Sequence, residues 1–186
     1  MPSARNQRIA KCALLCALLV VSCFFTIPLG PVPFTLQTAV VILIALLCSP
    51  GEAFAVTGVY LLMGTVGLPV FSGMTGGIVR ASAGFLMSYP VGTVLASSLR
   101  GAITKNAQAG SGKGALARRT AADVLAAAII LVTSDTLGWL WLMFFNDLDP
   151  LAAFLIADAP FIAIDILKAA LSIGVAKGVR KGLGWE

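Results

Sequence analysis

The chain has 186 residues, of which 59% are hydrophobic and 11% charged, whereas a soluble domain carries about 25% charged residues. A water-soluble domain of this length could not bury so much apolar surface, so the composition excludes ordinary soluble folds and favours a membrane protein. The net charge of +5 comes without an aromatic-interleaved basic stripe, which argues against nucleic-acid binding, and the lack of histidine removes the commonest general base and metal ligand.

Six apolar segments follow one another along the chain, each near the length that crosses roughly 30 Å of hydrocarbon as a helix. The second and third segments are short. The sequence therefore predicts a single all-α membrane domain over residues 1–186, with about six transmembrane helices. These predicted helices span residues 9–27, 33–49, 52–66, 81–99, 121–144 and 160–176.

Basic residues alternate with the apolar segments in a way that predicts orientation. Only Arg80 and Lys168 lie apart from three basic groups, which precede the first segment, separate the fourth from the fifth, and follow the sixth. Under the positive-inside rule this places both termini in the cytoplasm. The groups are Arg5, Arg8 and Lys11; Arg100, Lys105, Lys113, Arg118 and Arg119; and Lys177, Arg180 and Lys181.

Residues 100–120, between the fourth and fifth segments, include a stretch rich in Gly, Ala, Lys and Ser, which predicts a flexible cytoplasmic linker. Its Gly110–Gly114 stretch superficially resembles a phosphate-binding loop. However, Gly114 occupies the position that requires Ser or Thr, and no strand precedes it. We therefore expect no ATP binding by that loop.

Polar side chains lie inside four of the apolar segments, where ionisable groups are costly and usually face an internal cavity. Asp165 and Lys168 are spaced i,i+3, within reach of an ion pair. With Gln37, Tyr89 and Asp135 they fall about 6 to 12 Å below the outer boundary at 1.5 Å per residue. Such a layer predicts a site for a small polar solute entering from outside. A structural ion pair, simple packing of Tyr89 and a structural Asp135 are the alternatives.

Two loops predicted to face outward, residues 28–33 and 67–77, are rich in Gly and Pro. Val70 and Phe71 in the second loop could cap a ligand, with Ser72 and Thr75 beside them as further candidate ligand contacts. An ordinary membrane loop is the alternative interpretation.

On the first segment, Ala13 and Ala17 form a small-xxx-small face of the kind that lets another helix approach closely. Because alanine is common in this chain, the pattern by itself is a weak indication of a partner.

Three motifs together resemble the BioY family, the biotin-specific S components of energy-coupling factor transporters. They are Pro31–Thr38 (PVPFTLQT), Gly67–Phe71 (GLPVF), and Pro160-Phe161 followed by Asp165-Ile166-Leu167-Lys168. The resemblance implies a multi-pass subunit of a prokaryotic cytoplasmic membrane that captures biotin from outside. It also implies a transmembrane T component and two ATP-binding cassette ATPases as partners, membrane lipid around the helices, and no cofactor, metal or catalytic residue in this chain.

The resemblance also implies roles for individual residues. Asp165 would accept a hydrogen bond from a ureido N–H of biotin, and Lys168 would donate to the ureido carbonyl or to the carboxylate. Gln37 and Tyr89 would complete the hydrogen bonding, whereas Phe71 and Val70 would cover the rings. Ala13 and Ala17 become candidates for contact with the T component.

The sequence departs from the family at Arg80–Phe85, where members often read Gly-Pro-Thr-Gly-Gly-Tyr. This leaves open the loop geometry around Ser72 and Thr75. Arg80 could meet a ligand carboxylate, although contact with a lipid headgroup is the favoured interpretation. Two other functions remain: an S component for another vitamin, such as thiamine or riboflavin, and a membrane-embedded enzyme with Asp135 and Asp165 as paired carboxylates.

Overall fold

The computed structural model describes residues 4–28, 31–107 and 113–183, which are mainly helical as the sequence predicts. A 3-10 turn at Ser22–Phe24 follows the first helix, and a short antiparallel hairpin joins β1 (Thr26–Ile27) to β2 (Phe34–Thr35), with Thr26 opposite Thr35. The α-helices of the described residues are α1 (Ala4–Val21), α2 (Gln37–Leu47), α3 (Pro50–Thr65), α4 (Ala83–Ala107), α5 (Lys113–Phe145), α6 (Pro150–Ala157) and α7 (Ile162–Leu183).

Two stretches of the described chain, Arg5–Phe24 and Gly114–Phe145, are long and apolar enough to cross a membrane. A third span results if α6 and α7, which are bent by 46° at their junction, are taken as one. Large apolar side chains are also exposed around the molecule, such as Leu62 at 65% and Val132 at 64%. Soluble proteins rarely expose apolar surface so extensively, so the chain is a membrane protein.

The predicted flexible linker over residues 100–120 is wrong for most of its length. Helix α4 continues to Ala107 and α5 already begins at Lys113, while residues 108–112 lie outside the described residues. Alanine, leucine, lysine and arginine are strong helix formers, and here they outweigh the scattered glycines. The phosphate-loop-like stretch Gly110–Gly114 falls largely in that undescribed gap.

The end of the chain also differs from the prediction, which places one helix over residues 160–176 with Pro160 in its first turn. Pro160 instead lies in the turn before α7, which starts at Ile162, and α6 is an additional short helix. Asp149 caps α6, because its Oδ2 accepts a hydrogen bond from the backbone N–H of Leu151 at 3.0 Å. Pro150 at the first helical position suits this start.

Helix α2 lies at the centre of the bundle and contacts α1, α3, α4, α5 and α7. It is apolar on nearly every side and buried along most of its length, as expected for a core helix. Helices α4 and α5 pack most closely, because Gly84 faces Leu137 and Trp141 while Gly138 faces the ring of Phe85. A Cβ atom at either glycine would overlap these neighbours.

The junction between α2 and α3 is fixed by a capping box. The backbone N–H of Ser49 donates to Glu52 Oε2 at 2.8 Å, and Pro50 occupies the first turn of α3. Lys11 of α1 forms an ion pair with the same carboxylate at 2.8 Å and also donates to the carbonyl of Leu47. The middle of α1 is thereby tied to the start of α3.

Candidate ligand-binding cavity

A cavity lies between the hairpin and the adjoining parts of α2, α4, α5 and α7. It encloses about 540 Å³ of atom-free space, part of which is open to solvent. Its polar lining residues are Thr35, Gln37, Thr38, Ser72, Ser82, Tyr89, Ser134, Asp135, Asp165 and Lys168.

Asp165 and Lys168 form a buried ion pair in this lining, as their i,i+3 spacing predicts. Lys168 Nζ donates to Asp165 Oδ1 at 2.8 Å, and the two residues are only 8% and 6% exposed. The two opposite charges pair with each other inside the lining. A carboxylate can accept further hydrogen bonds and an ammonium has three N–H donors, so both retain capacity for a ligand.

Aromatic rings supply the apolar walls of the cavity. Lys168 Nζ lies 4.3 Å from the centroid of the Phe34 ring, a cation–π contact that the register of β2 opposite β1 positions. Phe85 of α4 and Phe161, just before α7, complete these walls. Phe34 belongs to the PVPFTLQT motif, but the sequence analysis does not single out any of these three rings as a candidate site residue.

Gln37 is 2% exposed and is held by a buried network that the sequence analysis missed. Its Nε2 donates to the hydroxyl of Tyr60, which in turn donates to the carbonyl of Val70 at 3.0 Å. Cys23 Sγ donates to the same carbonyl at 2.7 Å. The sequence gives one indication of this network, because Tyr60 is the only tyrosine in its apolar segment. Gln37 is therefore a pre-oriented lining residue.

Tyr89, Ser134 and Asp135 face the cavity from α4 and α5. Among the hydrogen bonds of the described residues, none involves the Tyr89 hydroxyl or the Asp135 carboxylate, so both can serve a ligand. Pro90 follows Tyr89 inside α4 and has no N–H to donate to the carbonyl of Leu86. Leu86 and Tyr89 both line the cavity, so α4 lacks one backbone hydrogen bond where it meets the site.

The loop predicted to act as a lid is only partly at the cavity. Ser72 lines it, whereas Val70, Phe71 and Thr75 do not. Phe71 is fully buried, with its ring centroid 5.6 Å from that of Tyr60 in an edge-on arrangement and with Gly64 beneath it. The structure therefore gives no support for the expectation that Val70 and Phe71 cover the ligand rings. Both side chains are buried in the hydrophobic core, because the core offers them more apolar contact.

Arg80 is held by hydrogen bonds to polar residues at the edge of the cavity. Its guanidinium donates to Ser72 Oγ at 3.1 Å, to the Ser72 carbonyl at 3.3 Å and to Thr75 Oγ1, while Nε donates to Ser82 Oγ at 3.0 Å. Ser72 and Ser82 both line the cavity. Arg80 thus ties the loop to the start of α4 at the edge of the site.

Ala13 and Ala17 are both exposed on α1, and their i,i+4 spacing places them on the same side of the helix. Ala13 lines a largely apolar groove between α1 and α3, together with Cys16, Gly51 and Ala55. Small residues at such positions are typical of faces where two helices approach closely.

The fold and the cavity together define a class: a helical membrane protein whose helices surround a cavity with a buried ion pair, polar donors and aromatic walls. Comparison with known proteins then identifies the family. The BioY family profile matches residues 1–184, so the chain belongs to the BioY family, and the resemblance drawn from the three motifs is confirmed.

Two relatives match nearly the whole chain. The probable biotin transporter BioY of Pyrococcus horikoshii is 30% identical over 179 residues, covering 95% of this chain and 98% of the relative. Biotin transporter BioY2 of Lactococcus lactis subsp. cremoris is 32% identical over 175 residues, covering 92% and 88%. A crystal structure of the S component for biotin from an ECF-type ABC transporter superposes with a TM-score of 0.82 over 97% of this chain and 95% of that chain, at 23% identity.

Proposed function

We propose that this protein captures biotin outside the cytoplasmic membrane of a prokaryote and delivers it inward as the S component of an ECF transporter. The observation that carries the proposal is the buried Asp165–Lys168 pair in a cavity lined by polar and aromatic side chains. Family membership and the names of the relatives support the same substrate.

The chemistry of biotin matches this lining. Its ureido ring offers two N–H donors and a carbonyl acceptor, which suit Asp165 as acceptor and Lys168 as donor. Lys168 could instead bind the carboxylate of the tail. Tyr89, Gln37 and Asp135 offer further hydrogen-bond partners, and the aromatic walls suit the apolar bicyclic body. Ser72 is a further candidate contact, whereas Thr75, Val70 and Phe71 would act indirectly by shaping the loop.

We propose that the chain crosses the membrane about six times with both termini in the cytoplasm. Three basic groups then share the cytoplasmic side, as the positive-inside rule favours. In this orientation the hairpin and the cavity face outward, which suits capture of an external solute.

Titration of the purified protein with biotin tests the proposal. We expect heat of binding and thermal stabilisation at micromolar biotin. Competition with thiamine and riboflavin is the matched specificity test, because the Arg80–Phe85 departure keeps another vitamin open as a second candidate. Displacement of biotin by neither vitamin supports the proposal, whereas no response to biotin would count decisively against it.

For energy coupling we propose a T component and two ATP-binding cassette ATPases as partners, with Ala13 and Ala17 in the contact. The exposed groove between α1 and α3 supports this surface. Ala13→Trp should greatly reduce copurification of ATPase partners from native membranes while biotin binding stays normal. Leu14→Trp, at an exposed neighbouring position off the small-residue face, is the control. Equal copurification of both variants with wild type would exclude this surface.

The hydrogen bonds from Arg80 to the loop lead to a kinetic prediction. Arg80→Ala removes the donors that hold Ser72 and Thr75, so the loop should open more readily. We expect bound biotin to dissociate about tenfold faster, with a smaller change in the association rate. Stopped-flow exchange of labelled biotin measures both rates. Arg118→Ala, an exposed arginine distant in the chain, is the control, and unchanged dissociation in Arg80→Ala would contradict the role.

A further inference from the structure

A second cavity lies at the opposite ends of the same helices, bounded by the C-terminal parts of α4 and α7 and the N-terminal part of α5. It encloses about 1,050 Å³ of atom-free space, part of it open to solvent. Five basic side chains line it, against one acidic side chain, Asp123. The basic residues are Arg100, Arg119, Lys177, Arg180 and Lys181.

Only part of this positive charge is balanced within the described residues. Asp123 is fully buried and pairs with Arg100 Nε at 2.8 Å and with both terminal nitrogens of Arg180, at 3.1 and 2.5 Å. Lys177 donates to Thr120 Oγ1 at 3.1 Å. Arg119 and Lys181 have no hydrogen bond or ion pair with any other described residue. Three cations, Arg119, Lys177 and Lys181, therefore face the cavity without a counter-charge among the described residues.

We propose that this basic cavity binds the phosphate group of an anionic phospholipid. The guanidinium of arginine and the ammonium of lysine are the side-chain groups that recognise phosphate best. Basic pockets between helices on the cytoplasmic side of membrane proteins suit such headgroups. Leu116, also in the lining, is 65% exposed and offers apolar contact for an acyl chain, which a free phosphate would leave unused.

The size and position of the cavity fit a lipid better than a small ion. Its space is far larger than a bare phosphate needs, and it opens where the apolar helices end. The proposal does not depend on what binds in the cavity at the other end. Arg119 and Lys181 can be changed without breaking an ion pair of the described residues, which permits a clean test.

The test uses the full-length protein in neutral detergent with added phosphatidylglycerol, phosphatidylcholine or inorganic phosphate at equal phosphate concentration. Native mass spectrometry measures retained lipid, and thermal unfolding measures stabilisation. The double variant Arg119→Gln/Lys181→Gln should bind phosphatidylglycerol about 30-fold more weakly, since each cation near an anionic surface contributes about fivefold. The control Arg118→Gln removes an exposed arginine that is outside the lining.

The outcomes separate the possibilities. Wild type and Arg118→Gln should retain phosphatidylglycerol in preference to phosphatidylcholine, and all variants should keep the biotin affinity of wild type, which shows that they fold. Equal retention by the double variant and the control would overturn the proposal. So would equal effects of phosphatidylcholine, or full stabilisation by inorganic phosphate, which would indicate a free-anion site. Loss of partner proteins with normal lipid retention would assign the cavity to protein docking instead.

Discussion

Asp165→Asn is expected to weaken biotin binding about 100-fold while the chain still folds. The amide keeps the size of the side chain but loses the negative charge that pairs with Lys168 at 2.8 Å. A hydrogen bond to a charged group contributes about 1.5 to 3 kcal/mol, and 1.4 kcal/mol corresponds to a factor of ten in affinity. Isothermal titration with biotin measures the effect.

The matched control is Asp135→Asn, a second carboxylate that lines the same cavity. Asp135 lies outside the buried ion pair, and an asparagine there keeps an oxygen that can accept a hydrogen bond from a ligand, so we expect Asp135→Asn to cost less than tenfold in affinity. This comparison also tests the paired-carboxylate enzyme hypothesis, which requires both groups equally. If Asp135→Asn preserves biotin uptake and Asp165→Asn abolishes it, that hypothesis fails.

A purely structural ion pair would also make Asp165→Asn harmful, because it leaves the Lys168 ammonium buried without its partner. The double variant Asp165→Asn/Lys168→Met separates the two explanations. We expect it to regain thermal stability, since no unpaired charge remains, but not biotin affinity. Recovery of both properties would show that the pair serves the fold alone.

The depth of polar residues along apolar segments was enough to predict five of the ten polar residues that line the cavity. Gln37, Tyr89, Asp135, Asp165 and Lys168 all line it, although four different helices supply them. This worked because a helix converts sequence spacing into a fixed rise and a fixed face, so side chains at similar depth can meet.

The loop residues could not be predicted in the same way. Val70 and Phe71 look like ligand covers in the sequence, but Phe71 packs against Tyr60 and Gly64, which lie in another element. The direction of a loop side chain depends on such distant contacts rather than on a repeating geometry. The role of Arg80 could not be predicted for the same reason, because its partners Ser72 and Thr75 lie several residues away in a turn.

The predicted helix boundaries were wrong in two places, the linker between α4 and α5 and the region of α6. The glycines of residues 100–120 suggest a linker, although the alanines, leucines and arginines around them extend α4 and α5. Helix α6 was missed because its eight residues are too short to span a membrane, but Asp149 and Pro150 form a readable helix start. A search for caps rather than for long apolar runs would have found it.

Asp123→Asn should lower the free energy of unfolding by about 3 kcal/mol without changing biotin affinity. Asp123 is fully buried and joins three helices, because it pairs with Arg100 of α4 and Arg180 of α7 from its own position in α5. Removing one member of a buried ionic cluster leaves the others without counter-charge and costs about 3 to 5 kcal/mol. We expect a loss at the lower end of this range because the side chains of Arg100 and Arg180 are 19% and 11% exposed.

Thermal unfolding of the purified chain in detergent, at one fixed scan rate, measures this loss as a drop in Tm of about 6 to 12 °C. Asp147→Asn is the control, since Asp147 is exposed and its φ of 50° is one that asparagine also tolerates. Adding Arg100→Gln to Asp123→Asn should recover part of the loss by removing one unpaired cation. Equal Tm values for Asp123→Asn and Asp147→Asn would show that the cluster does not hold α4, α5 and α7 together.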